Sequence, residues 1–336
     1  MDEITLLRKI RDDNSGTPAD ATIEAGREKL LQRIAPAPAV SELSARRPRG
    51  TRVWLTSAAA AAVVAGLIGG DVIGLAGWRG GATAQAAEVL NAAAQTAITT
   101  VDPAVNPGQY LKIQSTNVWS TQSVDADGSS YEWLDTEKSE MYIPADRSGE
   151  WVWHRSGRVP TTFFDAKAEE YVRQQNTQPN PELLRGANGA FYGSPDSFAP
   201  DMSALPRDPY RLLNSIYKQT LGKGQSVDGA ALVFIADLLR TGVAPADLRA
   251  ALYKAAAMIP GVTITEGQAN LDGRTGVAIG RLEEGLSKMR QEIIIDPQTG
   301  VLIGEREIIT QPLGSIPAGT AVTWTAVETS VSDTAP

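Results

Sequence analysis

Cysteine is absent from this chain, and histidine occurs once, at His154. The first absence excludes disulfides, cysteine-bound zinc, iron–sulfur clusters and a thiol nucleophile together. It leaves the redox compartment open, because exported proteins also do without disulfides. A single histidine argues against a protein-only transition-metal site. Gly-rich phosphate loops are missing too: neither G-x-G-x-x-G nor a Walker loop follows a strand-like run, and there is no G-x-S-x-G. An excess of positive charge is also lacking. The net charge is −8, which disfavours nucleic acid as a partner. No cofactor or metal is implied, and the expectation is a protein without catalytic activity.

One long apolar run is present. Val53 to Trp78 reads VWLTSAAAAAVVAGLIGGDVIGLAGW, with Asp71 its sole charge. At 1.5 Å per residue the run spans about 39 Å, enough for the ~30 Å hydrocarbon core and part of both interfaces. Trp54 and Trp78 bracket it as an aromatic belt would. Arg46, Arg47, Arg49 and Arg52 precede it, whereas only Arg79 follows before Glu88. By the positive-inside rule this is a single transmembrane helix with a cytoplasmic N-terminus and an extracytoplasmic C-terminal bulk. Ala82-Thr83-Ala84 also resembles a cleavage site, so release of the outer part after Ala84 stays open. Asp71 lies toward the outer end, where it can snorkel or pair with Arg79. Gly66, Gly70 and Gly74 recur at spacing four, a face that would let two helices approach closely.

Charge divides across the span. Residues 1–52 carry ten Lys/Arg against eight Asp/Glu, while residues 79–336 carry twenty-one against thirty. Residues 1–52 form a cytoplasmic tail with two short amphipathic segments: the first places Leu6, Leu7 and Ile10 on one face, and the second, Ala21–Ile34, aligns Ile23, Arg27, Leu30, Leu31 and Ile34. Pro36, Pro38 and Pro48 mark a linker. Faces this short bury little alone, so the tail is expected to dock on a cytoplasmic protein or on the bilayer, or to be only partly ordered. A helical tail ahead of one span is the layout of membrane anti-sigma factors, without their His/Cys zinc motif.

Beyond the span, residues 79–108 hold an Ala-rich helix and a connector, and residues 109–333 an extracytoplasmic α+β domain. Strand-like alternation covers Gln109–Ser120, Ser130–Pro144 and Glu150–Phe164. Residues 166–206 read as an irregular excursion. Three helices follow: one opened by Asp208-Pro209, then Val227–Arg240, then Ala246–Ile259 behind Pro245. Strands resume at Val262–Glu266, Gly276–Arg281, Met289–Asp296, Val301–Thr310 and Ala321–Ser330, with turns at Leu271-Asp272-Gly273 and Asp296–Gly300. The order sheet, helices, sheet predicts a curved antiparallel sheet with a helical block packed on it rather than alternating βαβ units.

Candidate chemistry is sparse. Ser194 sits in a Gly-Ser-Pro loop without a His-based partner. Asp125-Ala126-Asp127-Gly128 opens like a calcium loop but lacks the later glutamate, and reads as a turn. Glu283/Glu284 and Glu305/Glu307 read as a solvated strand face or turn. Trp119, Trp133, Trp151 and Trp153 are the most suggestive set: either sheet packing or the wall of a groove for an apolar ligand. The partners expected are therefore the lipid bilayer, a cytoplasmic protein for the tail, and an apolar ligand or a protein outside; the leading expectation is a membrane-anchored sensor or regulator, with an envelope carrier or scaffold and a hydrolase of unknown type as the alternatives.

Several segments together resemble a family of uncharacterised actinobacterial single-pass membrane proteins: the opening Leu6-Leu7-Arg8 with Arg11, REKLL at Arg27–Leu31, and the arginine cluster before an Ala-rich span. To these add Ala86–Leu90, ADLRAALY at Ala246–Tyr253, Ile259–Val262, Asp272–Ala278, and the turn Asp296–Gly300 running into Gly304-Glu305. The resemblance implies a membrane-anchored exported domain. It also implies an outer fold similar to the lipoprotein-carrier and sigma-regulator fold, a curved sheet holding helices on its concave face. It brings no catalytic residues.

Overall fold

Alternation of side chains along the strands decides which face of the sheet meets the helices, and a computed structural model shows it for Ile73 and residues 80–99, 102–194, 201–285 and 288–336. The chain divides into two units, Met1–Thr56 and Ser57–Pro336; only the second contains described residues. The tail, Arg46, Arg47, Arg49, Arg52, Trp54, Trp78 and the Gly66/Gly70/Gly74 face lie outside them. Among the described residues no helix is long and apolar enough to cross a membrane.

In chain order the elements are α1 (Ala84–Thr99), β1 (Tyr110–Val124), β2 (Ser130–Pro144), β3 (Glu150–Arg155), β4 (Val159–Phe163), α2 (Ala166–Gln175) and β5 (Glu182–Ala187). Then come α3 (Pro209–Gln219), α4 (Val227–Arg240), α5 (Ala246–Ala256), β6 (Thr263–Leu271), β7 (Arg274–Glu283), β8 (Met289–Ile295), β9 (Leu302–Ile309) and β10 (Ala321–Ser332). The strands form one curved antiparallel sheet in the order β5-β3-β2-β1-β10-β9-β8-β7-β6, with β4 paired to β2. This is the α+β architecture expected.

Two differences from the sequence reading have local causes. The run expected as one strand at 150–164 is two, because Gly157 turns in the left-handed region (φ 76°). The supposed excursion contains α2 and β5. The Asp165 carboxylate caps α2 by accepting from the Ala168 N–H at 2.8 Å, and β5 completes the sheet against β3. Too few apolar residues lie in that stretch to show either period.

Leu111, Ile113, Met141 and Ile143 project from β1 and β2 onto the helix side, joined there by Ile279, Ile293, Ile295 and Val327. Capping sets the helices: Asp208 accepts from the Arg211 N–H and Ser226 from the Gly229 N–H, both at 2.9 Å. Leu212, Leu213 and Ile216 of α3 are fully buried, each worth about 1.5–3 kcal/mol of apolar burial. Small residues (Ala86, Ala93, Ala94, Ala97) bring α1 into the same core as α5. Backbone bonds from Ala82 to Ala257 (3.0 Å) and from Thr83 to Val262 (2.8 Å) fix its entry.

The opposite face carries a smaller core of Ala269, Leu271, Ala278, Ile294, Ile303 and Ala326, beside Trp324. The β6–β7 hairpin rolls across that face. A Cβ on Gly304 would run into the Thr325 backbone carbonyl oxygen as well as the Leu271 side chain, and the backbone contact cannot give way, so glycine is required there.

Candidate functional site

The ladder between β9 and β10 stops early. Its last rung is Ala326 opposite Gly304; beyond it β10 runs on to Ser332 paired only with β1, while β9 begins at Leu302 against β8. The sheet therefore splits. Arg274, at the tip of the β6–β7 hairpin, spans the fork, donating to the Ile303 carbonyl at 2.9 Å and the Val327 carbonyl at 2.6 Å. Charge-assisted donors of this kind satisfy two carbonyls that the ladder has abandoned.

Above the fork lies a cavity of about 780 Å³. Leu111, Ile143 and Val327 form its floor, and Val243, Ala244 and Pro245 of the α4–α5 loop its roof. The turn Asp296–Gly300 closes one side by packing on α1: a Cβ on Gly300 would lie 2.6 Å from the Ala93 carbonyl. Residues from both faces of the sheet line the space, because it passes through the fork.

Three arginines border this apolar volume: Arg147, Arg249 and Arg274. Arg249, on α5, pairs with Asp102 at 2.6 Å and donates to the Ala244 carbonyl at 2.7 Å, yet its buried Nε has no partner. One turn on, the Tyr253 hydroxyl is fully buried and also unpartnered. Burial pushes that phenol well above its usual range, against the opposing pull of Arg249. Arg147, in the β2–β3 turn, has no carboxylate partner among the described residues. The Asp296 carboxylate is engaged by the Gln298 N–H and the Thr299 hydroxyl. The cavity thus offers an apolar body with a polar border of three arginines and three carboxylates (Asp102, Asp296 and Glu328); Arg249 is paired with Asp102, and Arg147 is left to meet the polar end of an amphipathic ligand.

None of the four tryptophans singled out in the sequence lines this cavity. All four project to the helix side of β1–β3 but separate into two groups. Trp151 is core, its indole N–H donating to the Arg147 carbonyl at 2.8 Å, and Trp153 packs on Phe191 with ring centroids 5.4 Å apart. At the far end of the long hairpin, Trp119 lies under Arg158 and Trp133 donates to Asp135 at 2.9 Å.

Other candidates resolve individually. His154 and Ser194 are exposed. Asp125–Gly128 is a turn, closed by the Gly128 N–H to the Asp125 carbonyl at 2.9 Å. Among the described residues no group of three or more His/Asp/Glu could hold a metal ion. Glu305 and Glu307 overturn the solvated-face reading: both point under α4. Burial raises the Glu305 carboxyl to about 7, with Arg240 opposing and Asp237 and Glu307 adding; Glu307 is raised by burial and by Asp237. The β6–β7 and β8–β9 turns were legible, but which of their residues meet depends on how the sheet splits and rolls. Even so, Arg249, Arg274 and Asp296 each fall in a segment that carries the family resemblance.

No protein-family model matches the chain, and no curated protein does. Among solved structures, a chain of the Pseudomonas aeruginosa MucA/MucB complex aligns over 73% of this chain and 57% of its own length, at 12% identity and a TM-score of 0.28. A DUF1329 family protein from Desulfovibrio piger aligns over 74% and 91%, at 8% identity and a TM-score of 0.20. The chain spans little more than half the length of the MucA/MucB chain it matches. Likenesses this low carry no assignment of fold or function.

Proposed function

We propose that this protein is a membrane-anchored, extracytoplasmic binding protein of regulatory type, without catalytic activity. The unit beyond the span takes an amphipathic ligand in the cavity at the forked sheet, and the cytoplasmic tail engages a protein inside. The observation that carries the ligand part is the cavity itself: an apolar floor and roof, with Arg147 at its border lacking a carboxylate partner among the described residues and the buried Arg249 Nε lacking a hydrogen-bond acceptor there. The anchor and orientation rest on the apolar run Val53–Trp78 and the arginines before it. A carrier of apolar ligands within the envelope is the second reading, favoured by the same cavity.

Two measurements test this. The full chain in nanodiscs is expected to bind dansyl-undecanoate above the empty-nanodisc blank. Val243→Trp, which fills the roof, is expected to abolish that binding; equal binding by both proteins would refute the site. Because the chain has no cysteine, single-cysteine variants report topology cleanly. An impermeant maleimide on intact cells should label Ser156→Cys and spare Ser41→Cys, and the reverse would overturn the orientation.

A further inference from the structure

The edge that β10 exposes beyond Ala326 has a chemistry more specific than apolar volume. In an antiparallel ladder each residue turns its N–H and C=O to one neighbour, and successive residues alternate. Val327 gives its carbonyl to Arg274 on the side that β9 has left. The N–H and C=O of Thr329 and Val331 therefore face that vacated side, while Glu328 and Ser330 turn theirs toward β1. The side chains of Val327, Thr329 and Val331 share the helix face with Ile113 and Leu111, under the α4–α5 loop; Gly242 of that loop has no room for a Cβ, which would meet Thr329 Cγ2 at 2.8 Å. Open strand edge and apolar cavity are thus the same place.

We infer that the fork is a strand-acceptor slot: an extended segment of another polypeptide adds to β10 at Val327–Val331, with alternate side chains entering the cavity. This rests on the reading of the cavity as a ligand site and narrows the ligand from amphipathic molecules in general to a peptide. Main-chain bonds to the open edge supply affinity, and the cavity selects apolar residues at every second position. Arg274 stops the added strand at the inner end by occupying the first rung. The three arginines at this space are balanced by Asp102, Asp296 and Glu328, so charge sets placement rather than overall preference: Arg249 is paired with Asp102, and Arg147, without a carboxylate partner among the described residues, is where a carboxylate of the added segment would sit. An unprotected edge of this kind is otherwise an aggregation hazard; here the cavity roof shields one face of it.

The test uses the full chain in nanodiscs and a fluorescein-labelled peptide, Val-Thr-Val-Thr-Val-Glu with a free C-terminus, read by anisotropy. Two N-methylated versions discriminate the mode. Residues whose side chains enter the cavity also direct their amides at β10, so methylating the valine amides is expected to weaken binding by at least about tenfold. Methylating the threonine amides, which point away, is expected to change it less than about twofold. Thr329→Pro removes the matching donor on β10 without touching a β1 bond, and is expected to weaken binding similarly. Arg147→Glu, on a surface turn that leaves the sheet intact, should weaken it by several-fold. Binding indifferent to valine methylation would overturn strand addition. So would concentration-dependent dimerisation that competes with the peptide, since a second copy would then be the occupant. If dansyl-undecanoate binds and no peptide does, strand addition fails and the cavity reading stands; if neither binds, both fail.

Discussion

Glu305 should make the folded unit less stable as pH rises through neutrality. Its carboxylate lies beneath α4 with Arg240 Nε at 3.0 Å and Gln291 Nε2 at 3.4 Å, while Asp237 and Glu307 add negative charge nearby. Burial is the largest influence and raises the group from 4.5 to about 7. A folded-state value above the unfolded one means the folded protein holds the extra proton. The stabilisation is therefore complete below about pH 4.5 and is lost as pH climbs to about 7. A rise of that size, with the opposing pull of Arg240 already included, is worth about 3 kcal/mol at most; water reaching the ionised carboxylate reduces it further. Glu305→Gln keeps the shape and cannot titrate, so it should be about 1–2 kcal/mol more stable than wild type at pH 8 and indistinguishable near pH 5. For a unit of about 250 residues, that is about 2–8 °C in Tm. Thermal melts of the full chain at pH 5, 6, 7 and 8, followed by tryptophan fluorescence, give the comparison directly. Glu307 shifts in the same direction in both proteins and cancels in the difference. Parallel pH slopes for the two proteins would refute the reasoning, because Glu305 would then stay ionised against Arg240 throughout.

Glu132 works in the opposite sense. The Ser130 hydroxyl most strongly, then the Ser315 hydroxyl and amide and Gln122, hold its carboxyl down at about 2 against the penalty of burial. Its stabilisation is present above about pH 4.5 and fades as pH falls toward 2. Glu132→Ala releases the β9–β10 loop from β2 and should cost about 1–3 kcal/mol in urea unfolding at pH 7. Trp151→Ala empties a fully buried site and breaks the bond to the Arg147 carbonyl, with an expected loss of about 3–5 kcal/mol. Gly189→Ala is expected to destabilise as well: its φ is +70° and a Cβ would lie 2.8 Å from the Trp151 ring, so a protein of unchanged midpoint would contradict that packing. Arg274→Ala leaves two carbonyls at the fork unsatisfied and should cost about 1–3 kcal/mol, less if water enters from the cavity. Amide exchange at Ile303 and Val327 should rise above that of distant strands in the same variant.

Much of the sheet was written in its alternation. Tyr110–Val124 and Ser130–Pro144 carry a period of two with a polar turn between them, and they pair along their whole length as one hairpin. The three helices of the block announce themselves by Asp208, Ser226 and Pro245 at their starts and by apolar residues at spacing three and four. Local chemistry sets these features, so a local reading finds them. Where tertiary contact decides, the same reading fails. Glu305 and Glu307 alternate with Gly304, Arg306 and Ile308 just as a wet strand face would, and only the docking of α4 turns them into buried acids.

The fork belongs to this second kind, and so does the misplaced emphasis on tryptophan. A large ring marks burial wherever it falls, so Trp119, Trp133, Trp151 and Trp153 stand out in the sequence, yet packing against Phe191, Arg158 and Asp135 occupies three of them and the core the fourth. A cavity is made instead by residues that stop short. β9 begins only at Leu302 because Asp296–Gly300 must turn tightly against the Ala-rich face of α1, while β10 runs on to Ser332 because β1 is fifteen residues long. The mismatch in length leaves an unpaired edge that neither strand encodes alone. Arg274 reaches that edge from a hairpin more than fifty positions before Val327. The length difference, and not any single residue type, is what gives this fold a place for a further strand.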